Sequence, residues 1–225
     1  MANPGFRILP MPARPSRALL DGLGAIAASQ ISDCMNRIPA GGAPLRPFFS
    51  GNIKLCGPAF TVKTAIGDNL LVHKAIDTAQ AGDVIVIDAG GDLQQAIIGE
   101  IMTTHARKRG VAGFVVNGAI RDSGPLLAGS YPVYACGATP RGPYKDGPGE
   151  INVPVVVGGM VVNPGDIVVG DDDGITVIPA RDAETVLAAA LKKKASEEKT
   201  LADIAAGKWD RRWVDETLKK LGCEF

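Results

Sequence analysis

Residues 83–122, with the sequence DVIVIDAGGDLQQAIIGEIMTTHARKRGVAGFVVNGAIRD, contain two short apolar runs separated by a helical segment. Asp83–Asp88 and Val111–Asn117 have the length and the branched residues of buried strands. The helical segment is expected at about Ile98–Arg109, because basic residues fill its last turn and Gly110 follows as a terminating residue. A strand, a helix and a second strand within about 35 residues predict a βαβ crossover with two parallel strands.

The segments outside this unit have patterns of their own. Ser16 is positioned to cap a helix whose apolar residues lie on one face from Leu19 to Ile31. Pro44–Thr64 alternate as strands do. Gly137–Glu150 contain four Gly and three Pro, and they predict an ordered loop. Asp171–Gly174 lack the alternating oxygen ligands of a metal loop, so a hairpin turn is favoured there.

The C-terminal half continues with short apolar runs that predict strands and ends with helical patterns. A long helix is expected at about Ala183–Ala206, followed by a short one near Trp213–Leu221. We therefore predict an α/β fold with parallel βαβ units, a strand-rich C-terminal half and a C-terminal helical arm. Residues 1–206 are expected to form a single α/β domain, and residues 207–225 are expected to form the arm.

The composition excludes several classes of protein. The 225 residues include 24 Lys+Arg and 24 Asp+Glu, so no net cationic field would attract nucleic acid or anionic lipid. No apolar run approaches the roughly 18 residues that a membrane-spanning helix needs. Prolines interrupt Met1–Arg17, where a signal peptide would have an apolar stretch. The four cysteines are isolated in sequence, which disfavours a zinc site or disulfides and indicates a cytoplasmic protein.

Two loops of the βαβ unit end in residues that could bind a ligand or take part in catalysis. These residues are Gly99-Glu100 and Arg121-Asp122. Because ligands of parallel sheets bind outside the carboxyl ends of the strands, we expect these loops to share one edge. Free N–H groups at residues 101–102 could accept a carboxylate. Arg121 could hold a developing oxyanion, and Asp122 offers the hard oxygen ligand that suits Mg²⁺. This set predicts a site for a small anionic substrate bridged to a divalent cation.

Other interpretations of the same residues stay open. Asp122 could cap a short helix at Ser123–Leu127, and Arg121 could be a surface ion-pair partner. Lys63 could form the Schiff base of a metal-free aldolase, although an outward-facing strand lysine is favoured. His73 has no histidine ligand partner four residues away, so a zinc pair is disfavoured and contact with the site is the minor alternative.

The order of these residues resembles a known family. It is similar to class II pyruvate aldolases of the 4-hydroxy-4-methyl-2-oxoglutarate/4-carboxy-4-hydroxy-2-oxoadipate type, whose fold is shared with regulators of ribonuclease E activity. The resemblance extends over roughly residues 16–205. Two groups of residues in the family's order carry it: Gly82-Asp83-Val84, Asp88, Gly99-Glu100, Gly110, Gly113 and Asn117–Asp122 in the first, and Gly158-Gly159, Val162–Asp166, Gly170–Gly174 and Pro179 in the second.

The resemblance implies a fold, an assembly and a metal. The fold would be a swivelling β/β/α-type sandwich, assembled as a homotrimer or homohexamer with sites between subunits. Asp122 would bind Mg²⁺ or Mn²⁺ directly. Arg121 would bind the keto oxygen of an α-keto acid substrate and stabilise its enolate.

Further site residues follow from the same resemblance. Gly99 and the backbone amides of Ile101 and Met102 would hold the pyruvyl carboxylate. Glu100 matches an acidic position that orders water on the metal. An acid from the C-terminal helix of a neighbouring subunit would also enter the site, and Glu197 and Glu198 are the two candidates.

The implied activity is cleavage of a 4-hydroxy-2-oxo-dicarboxylic acid to pyruvate and a second keto acid, with oxaloacetate decarboxylation as a side activity. One position departs from the family's pattern, because Pro125 stands where a second acid is expected. Outer carboxylates commonly tune metal affinity 10–100-fold. Pro125 therefore favours weaker metal binding, another small anionic substrate, or the alternative of a non-catalytic, protein-binding regulator of the ribonuclease E type.

Overall fold

The computed structural model describes residues 3–42 and 44–225. Most strands within these ranges join one large mixed sheet, with helices packed on its faces. The helices are α1 (Arg17–Gly24), α2 (Ala28–Cys34), α3 (Leu70–Thr78), α4 (Glu100–Lys108), α5 (Ser123–Ala128), α6 (Ala183–Ala205) and α7 (Arg212–Lys220). The strands are β1 (Phe6–Ile8), β2 (Arg46–Pro47), β3 (Leu55–Thr64), β4 (Val84–Asp88), β5 (Ala96–Ile98), β6 (Gly113–Ile120), β7 (Val133–Ala138), β8 (Gly149–Ile151), β9 (Val155–Val157), β10 (Met160–Val162), β11 (Ile167–Asp171) and β12 (Gly174–Ile178).

The predicted βαβ unit is present at the centre of the sheet. Strands β4 and β6 are adjacent and parallel, and α4 crosses between them. Gly110 follows α4 with a φ of +84°, the left-handed conformation expected after a helix. The main path of the sheet has the order β1-β8-β3-β4-β6-β7-β2, in which β3, β4, β6 and β7 run parallel. The α/β prediction is confirmed.

The helix of this unit begins later than its pattern predicts. Ile98 lies in β5, which pairs in parallel with the end of β6. The residues of β5 are almost fully buried. Burial of their apolar side chains in the sheet stabilises the fold more than a frayed first helical turn would, which explains why they form a strand. Strand β6 also continues through Ile120, three residues beyond the predicted end at Asn117, so the turn before α5 is confined to Arg121 and Asp122.

A second difference concerns the N-terminal helix, which is two helices rather than one. Ser16 accepts a hydrogen bond from the Leu19 amide at 3.3 Å, so the predicted cap is confirmed. The helix ends at Gly24, and α2 starts at Ala28 because its amide donates to the Asp171 carboxylate at 2.9 Å. The break between α1 and α2 therefore depends on a hydrogen bond to a residue 143 positions further along the chain.

The C-terminal half is rich in short antiparallel strands. Strands β11 and β12 form a hairpin in which Asp171 is paired with Gly174, so the predicted hairpin turn is confirmed. Strand β11 also pairs with β3, and β9 and β10 form a separate hairpin. The loop predicted at Gly137–Glu150 is shorter at both ends, because β7 continues to Ala138 and β8 begins at Gly149.

Helices and sheet enclose three apolar clusters. One lies between the parallel strands and the helices α3 and α4. A second lies on the opposite face beneath β9 and β10, and a third joins α1, α2 and the first part of α6 to the β11–β12 hairpin. The buried residues of α6 all lie in its first third, and α7 has no buried residue. None of the helices in the described residues is long and apolar enough to cross a membrane.

Candidate active site

Arg121 and Asp122 are presented at the carboxyl edge of the sheet by a sharp turn between β6 and α5. The Arg121 amide donates to the Ile98 carbonyl at 3.0 Å, which ties the turn to the end of β5. Asp122 has a φ of +56°, a left-handed conformation that Asp tolerates better than most residues. The turn thus brings the two side chains beside the start of α4.

The Asp122 carboxylate contacts the N-terminus of α4. Its Oδ2 atom accepts a hydrogen bond from the Glu100 amide at 3.0 Å and lies 3.7 Å from Nε of Arg121. Asp122 occupies the N-cap position of α5, as the alternative interpretation expects, but its side chain makes no hydrogen bond to the start of that helix. Both side chains remain partly accessible, at 43% for Arg121 and 39% for Asp122.

Gly99 allows this close approach. An ideal Cβ atom at Gly99 would lie 2.8 Å from Cγ of Arg121 and 3.1 Å from its Nε atom, and closer still to the Asp122 carboxylate. The first intrahelical bond of α4 runs from the Thr103 amide to the Gly99 carbonyl. The amides of Ile101 and Met102 therefore have no acceptor within the helix and are free for an anion.

Two cavities meet at Arg121. The first, of about 200 Å³, is named the α3-side cavity because α3 forms part of its wall. The second, of about 490 Å³, is named the α5-side cavity, and Asp122 and Ser123 lie in its wall. Arg121 lines both, so its guanidinium can contact a ligand that spans them. The α3-side cavity is lined by Asn69, His73, Ala96, Ile97, Ile98, Gly99, Ile101, Met102, Arg121, Pro143 and Lys145.

The α3-side cavity is suited to anions. Its described lining includes Arg121, Lys145 and His73 but no acidic residue. Burial lowers the pKa of His73 below its ordinary value of 6.5, and the charge of Lys145 lowers it further. At neutral pH the fixed positive charges are therefore those of Arg121 and Lys145, and His73 is a neutral hydrogen-bonding group.

Asn69 completes the polar lining. It is only 2% exposed, and its Nδ2 atom donates to the Ile97 carbonyl at 2.8 Å and contacts Sδ of Met102 at 3.3 Å. Its Oδ1 atom has no hydrogen-bond partner among the described residues. A buried amide oxygen without a partner is costly, so a ligand or water that donates to it would gain affinity.

Sequence reasoning missed part of this wall. Asn69 and Lys145 carry no pattern that marks them, because one precedes an ordinary amphipathic helix and the other lies in a Gly/Pro-rich loop. His73 lines the cavity, so the minor alternative for this residue is the one observed. Lys63 is exposed on its strand, which agrees with the outward-facing interpretation and not with a desolvated Schiff-base lysine.

The three predicted glutamates lie apart from the α3-side cavity. Glu100 begins α4 and lines a third cavity together with Pro125. Glu197 forms an ion pair with Lys193 at 3.1 Å and accepts a hydrogen bond from Gln30; the latter is the main reason that its pKa is lowered. Glu198 is exposed on the same helix. Their contribution to a neighbouring subunit's site stays a prediction.

The donor set of Asp122 fits a hydrated divalent cation. Only Oδ2 of its carboxylate takes part in the hydrogen bond to Glu100, and the side chain faces the α5-side cavity with room for water. Mg²⁺ commonly takes one or two protein carboxylates and keeps several waters. No group of three or more His, Cys, Asp or Glu side chains that could enclose a metal occurs among the described residues. A cation here would therefore be held mainly by Asp122, water and substrate.

Sequence and structure comparisons agree on the relatives of this chain. A model of the RraA-like family, described as Aldolase/RraA, matches residues 28–177. A protein of Halalkalibacterium halodurans named "Putative 4-hydroxy-4-methyl-2-oxoglutarate aldolase" is 45% identical over 173 residues, which are 77% of this chain and 82% of that protein. The crystal structure of an uncharacterized Pseudomonas syringae protein is 25% identical with a TM-score of 0.77, and it covers 87% of this chain and 96% of its own. The structure of the RNA-processing inhibitor RraA from Thermus thermophilus is 33% identical with a TM-score of 0.62, covering 68% and 92%.

Proposed function

Because this chain belongs to the RraA-like family of aldolases and RraA proteins, we propose that it is a divalent-metal-dependent carbon–carbon lyase. The substrate would be a 4-hydroxy-2-oxo-dicarboxylic acid such as 4-hydroxy-4-methyl-2-oxoglutarate or 4-carboxy-4-hydroxy-2-oxoadipate, cleaved to pyruvate and a second keto acid. Decarboxylation of oxaloacetate would be a side activity. The observation that carries the proposal is the convergence of Arg121, the Asp122 carboxylate and the free N-terminus of α4, with Arg121 lining both cavities.

The pyruvyl part of the substrate is bound by groups around Arg121. Its carboxylate accepts hydrogen bonds from the free amides of Ile101 and Met102, where the helix dipole also favours negative charge. The guanidinium of Arg121 donates to the C2 keto oxygen. Asp122 would hold Mg²⁺ or Mn²⁺, which when bound acts as a Lewis acid on the α-keto acid.

The reaction breaks the bond between C3 and C4. A base removes the proton of the C4 hydroxyl, the C4–O bond becomes a carbonyl, and the electron pair of the broken bond forms the enolate of pyruvate. Negative charge grows on the C2 oxygen, where the fixed charge of Arg121 stabilises it without reorganisation. Protonation at C3 then yields pyruvate, and Glu100 is the residue that would position the water for proton transfer.

The position of Lys145 favours a substrate with two carboxylates over a substrate with one. Lys145 lines the same cavity as Arg121 and the start of α4, so the cavity has a second cation for a second carboxylate. The same arrangement suits oxaloacetate, because loss of its distal carboxylate as CO₂ leaves the same pyruvate enolate.

The partner in this proposal is a second copy of the chain. A homotrimer or homohexamer would place Glu197 or Glu198 of one subunit near Arg121 of the next. Within its own subunit Glu197 is paired with Lys193, so either that ion pair rearranges on assembly or Glu198 supplies the acid. We place this reaction in the cytoplasm, with no nucleic acid or membrane partner.

Pyruvate release tests the proposal. The purified protein is assayed with oxaloacetate and with 4-hydroxy-4-methyl-2-oxoglutarate, with Mg²⁺ or Mn²⁺ and with chelator. We expect turnover that needs the metal. Asp122→Ala, which removes the proposed metal ligand, and Arg121→Ala, which removes a preorganised positive charge, should each lower it by at least about 100-fold. Equal rates in the wild type, both variants and the chelated sample would refute the lyase.

Two observations favour one alternative, a non-catalytic regulator of the ribonuclease E type. The Thermus thermophilus structure described above is that of an RNA-processing inhibitor. Pro125 stands three residues after Asp122, where the resemblance leads us to expect a second acid. If the lyase assay shows only background rates, binding to ribonuclease E measured by calorimetry would support this alternative.

A further inference from the structure

A buried carboxylate joins two walls of the α3-side cavity. Asp68 is 3% exposed and accepts three backbone hydrogen bonds. Its Oδ1 atom accepts from the Leu70 amide at 2.8 Å, at the start of α3. Its Oδ2 atom accepts from the amides of Asp146 at 2.6 Å and Gly147 at 2.9 Å, which follow Lys145 in the chain.

The position of the Lys145 segment depends on these bonds. Before Lys145, the backbone of Tyr144 is tied by its amide to the Gly67 carbonyl at 2.8 Å and by its carbonyl to the Asn69 amide at 3.0 Å. Directly after Lys145, the two amides both donate to Asp68. A residue that only capped α3 would need the Leu70 bond alone, so two of the three bonds serve the loop.

We infer that Asp68 is a positioning residue that holds Lys145 over the cavity and so sets the affinity for the second carboxylate of the substrate. The substrate part of this inference rests on the proposed function. Asp68 itself does not reach the substrate, because all three of its bonds are to backbone and its side chain is buried. It acts through the loop.

The test compares a substrate that has a second carboxylate with one that lacks it. Asp68→Asn keeps the size of the side chain but replaces one acceptor oxygen with a donor, which then opposes an N–H group. We expect the KM for oxaloacetate to rise about 10-fold, equivalent to about 1.4 kcal/mol. The exchange of the pyruvate methyl protons in D₂O, followed by NMR, should stay within about twofold, because pyruvate has no second carboxylate.

Two further variants separate positioning from general damage. Lys145→Ala should raise the same KM, and the double variant with Asp68→Asn should be no worse than Lys145→Ala alone, since coupled residues are not additive. Asp146→Asn is the matched control, because it changes an exposed side chain in the same loop and should leave KM unaltered. Additive effects, or equal losses on oxaloacetate and pyruvate, would overturn the inference.

Amide hydrogen exchange supplies a readout that needs no activity. Asp68→Asn should increase exchange in residues 145–147, and Asp146→Asn should not. If the wild type neither decarboxylates oxaloacetate nor exchanges pyruvate protons, the proposed function fails. In that case unchanged amide exchange in Asp68→Asn overturns the positioning as well, and increased exchange supports it.

Discussion

Replacement of Gly99 by alanine should inactivate the protein without unfolding it. The backbone of Gly99 is extended, with φ −154° and ψ −169°, so any residue can adopt its conformation. The effect must therefore come from the added methyl group. That group would lie 2.8 Å from Cγ of Arg121, a distance that real Cβ contacts do not show, so Arg121 and Asp122 must move.

The size of the effect follows from this displacement. A shift of about 1 Å in a group that stabilises the transition state can cost about 100-fold in rate. Overpacking of one methyl group costs about 1–3 kcal/mol of unfolding free energy, which lowers Tm by roughly 2–12 °C in a protein of this size. We expect kcat/KM for oxaloacetate to fall about 100-fold, while the circular dichroism spectrum stays that of the folded protein.

Gly124→Ala is the matched control. An added Cβ atom at Gly124 meets nothing within 4 Å, and the residue lies in α5, two positions after Asp122. Alanine in a helix is about 0.5–1 kcal/mol more favourable than glycine, so this variant should be as active as the wild type and at least as stable. If folded Gly99→Ala retains activity within twofold of Gly124→Ala, the assignment of Arg121 and Asp122 to the reaction is refuted.

Three other measurements test further parts of the structure. Asp83 is fully buried and bound by Arg14 through two hydrogen bonds of 2.7 Å; Asp83→Ala should lower the free energy of unfolding in urea by about 3 kcal/mol, and a loss below 1 kcal/mol would contradict a buried ion pair. Burial raises the pKa of Cys56 to about 12, so at pH 8 a thiol reagent should modify exposed Cys223 and leave Cys56 unmodified until the protein unfolds. Burial lowers the pKa of His73 below 6.5, so the unfolded chain binds a proton that the folded chain does not, and stability decreases as pH falls below 6.5. His73→Gln should lose less stability than the wild type between pH 7.5 and pH 5.5, and parallel losses in urea unfolding would refute this assignment.

Local patterns were sufficient for the centre of the fold. The strands of the βαβ unit are short, apolar and branched, and Gly110 marks the end of α4. Both strands and the end of that helix are therefore specified by residues within or next to them. The hairpin at Asp171–Gly174 was predictable for the same reason. The same reasoning reached Arg121 and Asp122, because the loops after two neighbouring parallel strands must share an edge.

Elements defined by distant contacts were not predictable. The break between α1 and α2 depends on Asp171, and β5 exists because it pairs with the end of β6. Neither partner is close in sequence to the residues whose conformation it sets. A helical period therefore predicted one continuous N-terminal helix, and an α4 that starts too early.

The amino-acid sequence by itself determined the α/β unit and the residues at its carboxyl edge, because helix, strand and turn preferences act over a few neighbouring residues. Only the tertiary structure decided that Asp122 binds the start of α4 rather than α5, and that Lys145, Asn69 and His73 share a cavity with Arg121. The segment that contains Lys145 is held by hydrogen bonds that Asp68 accepts from the amides of Asp146 and Gly147, which lie 78 and 79 residues further along the chain. Hydrogen bonds over such separations leave no periodic trace in a sequence, since they depend on how the whole sheet and its helices are packed.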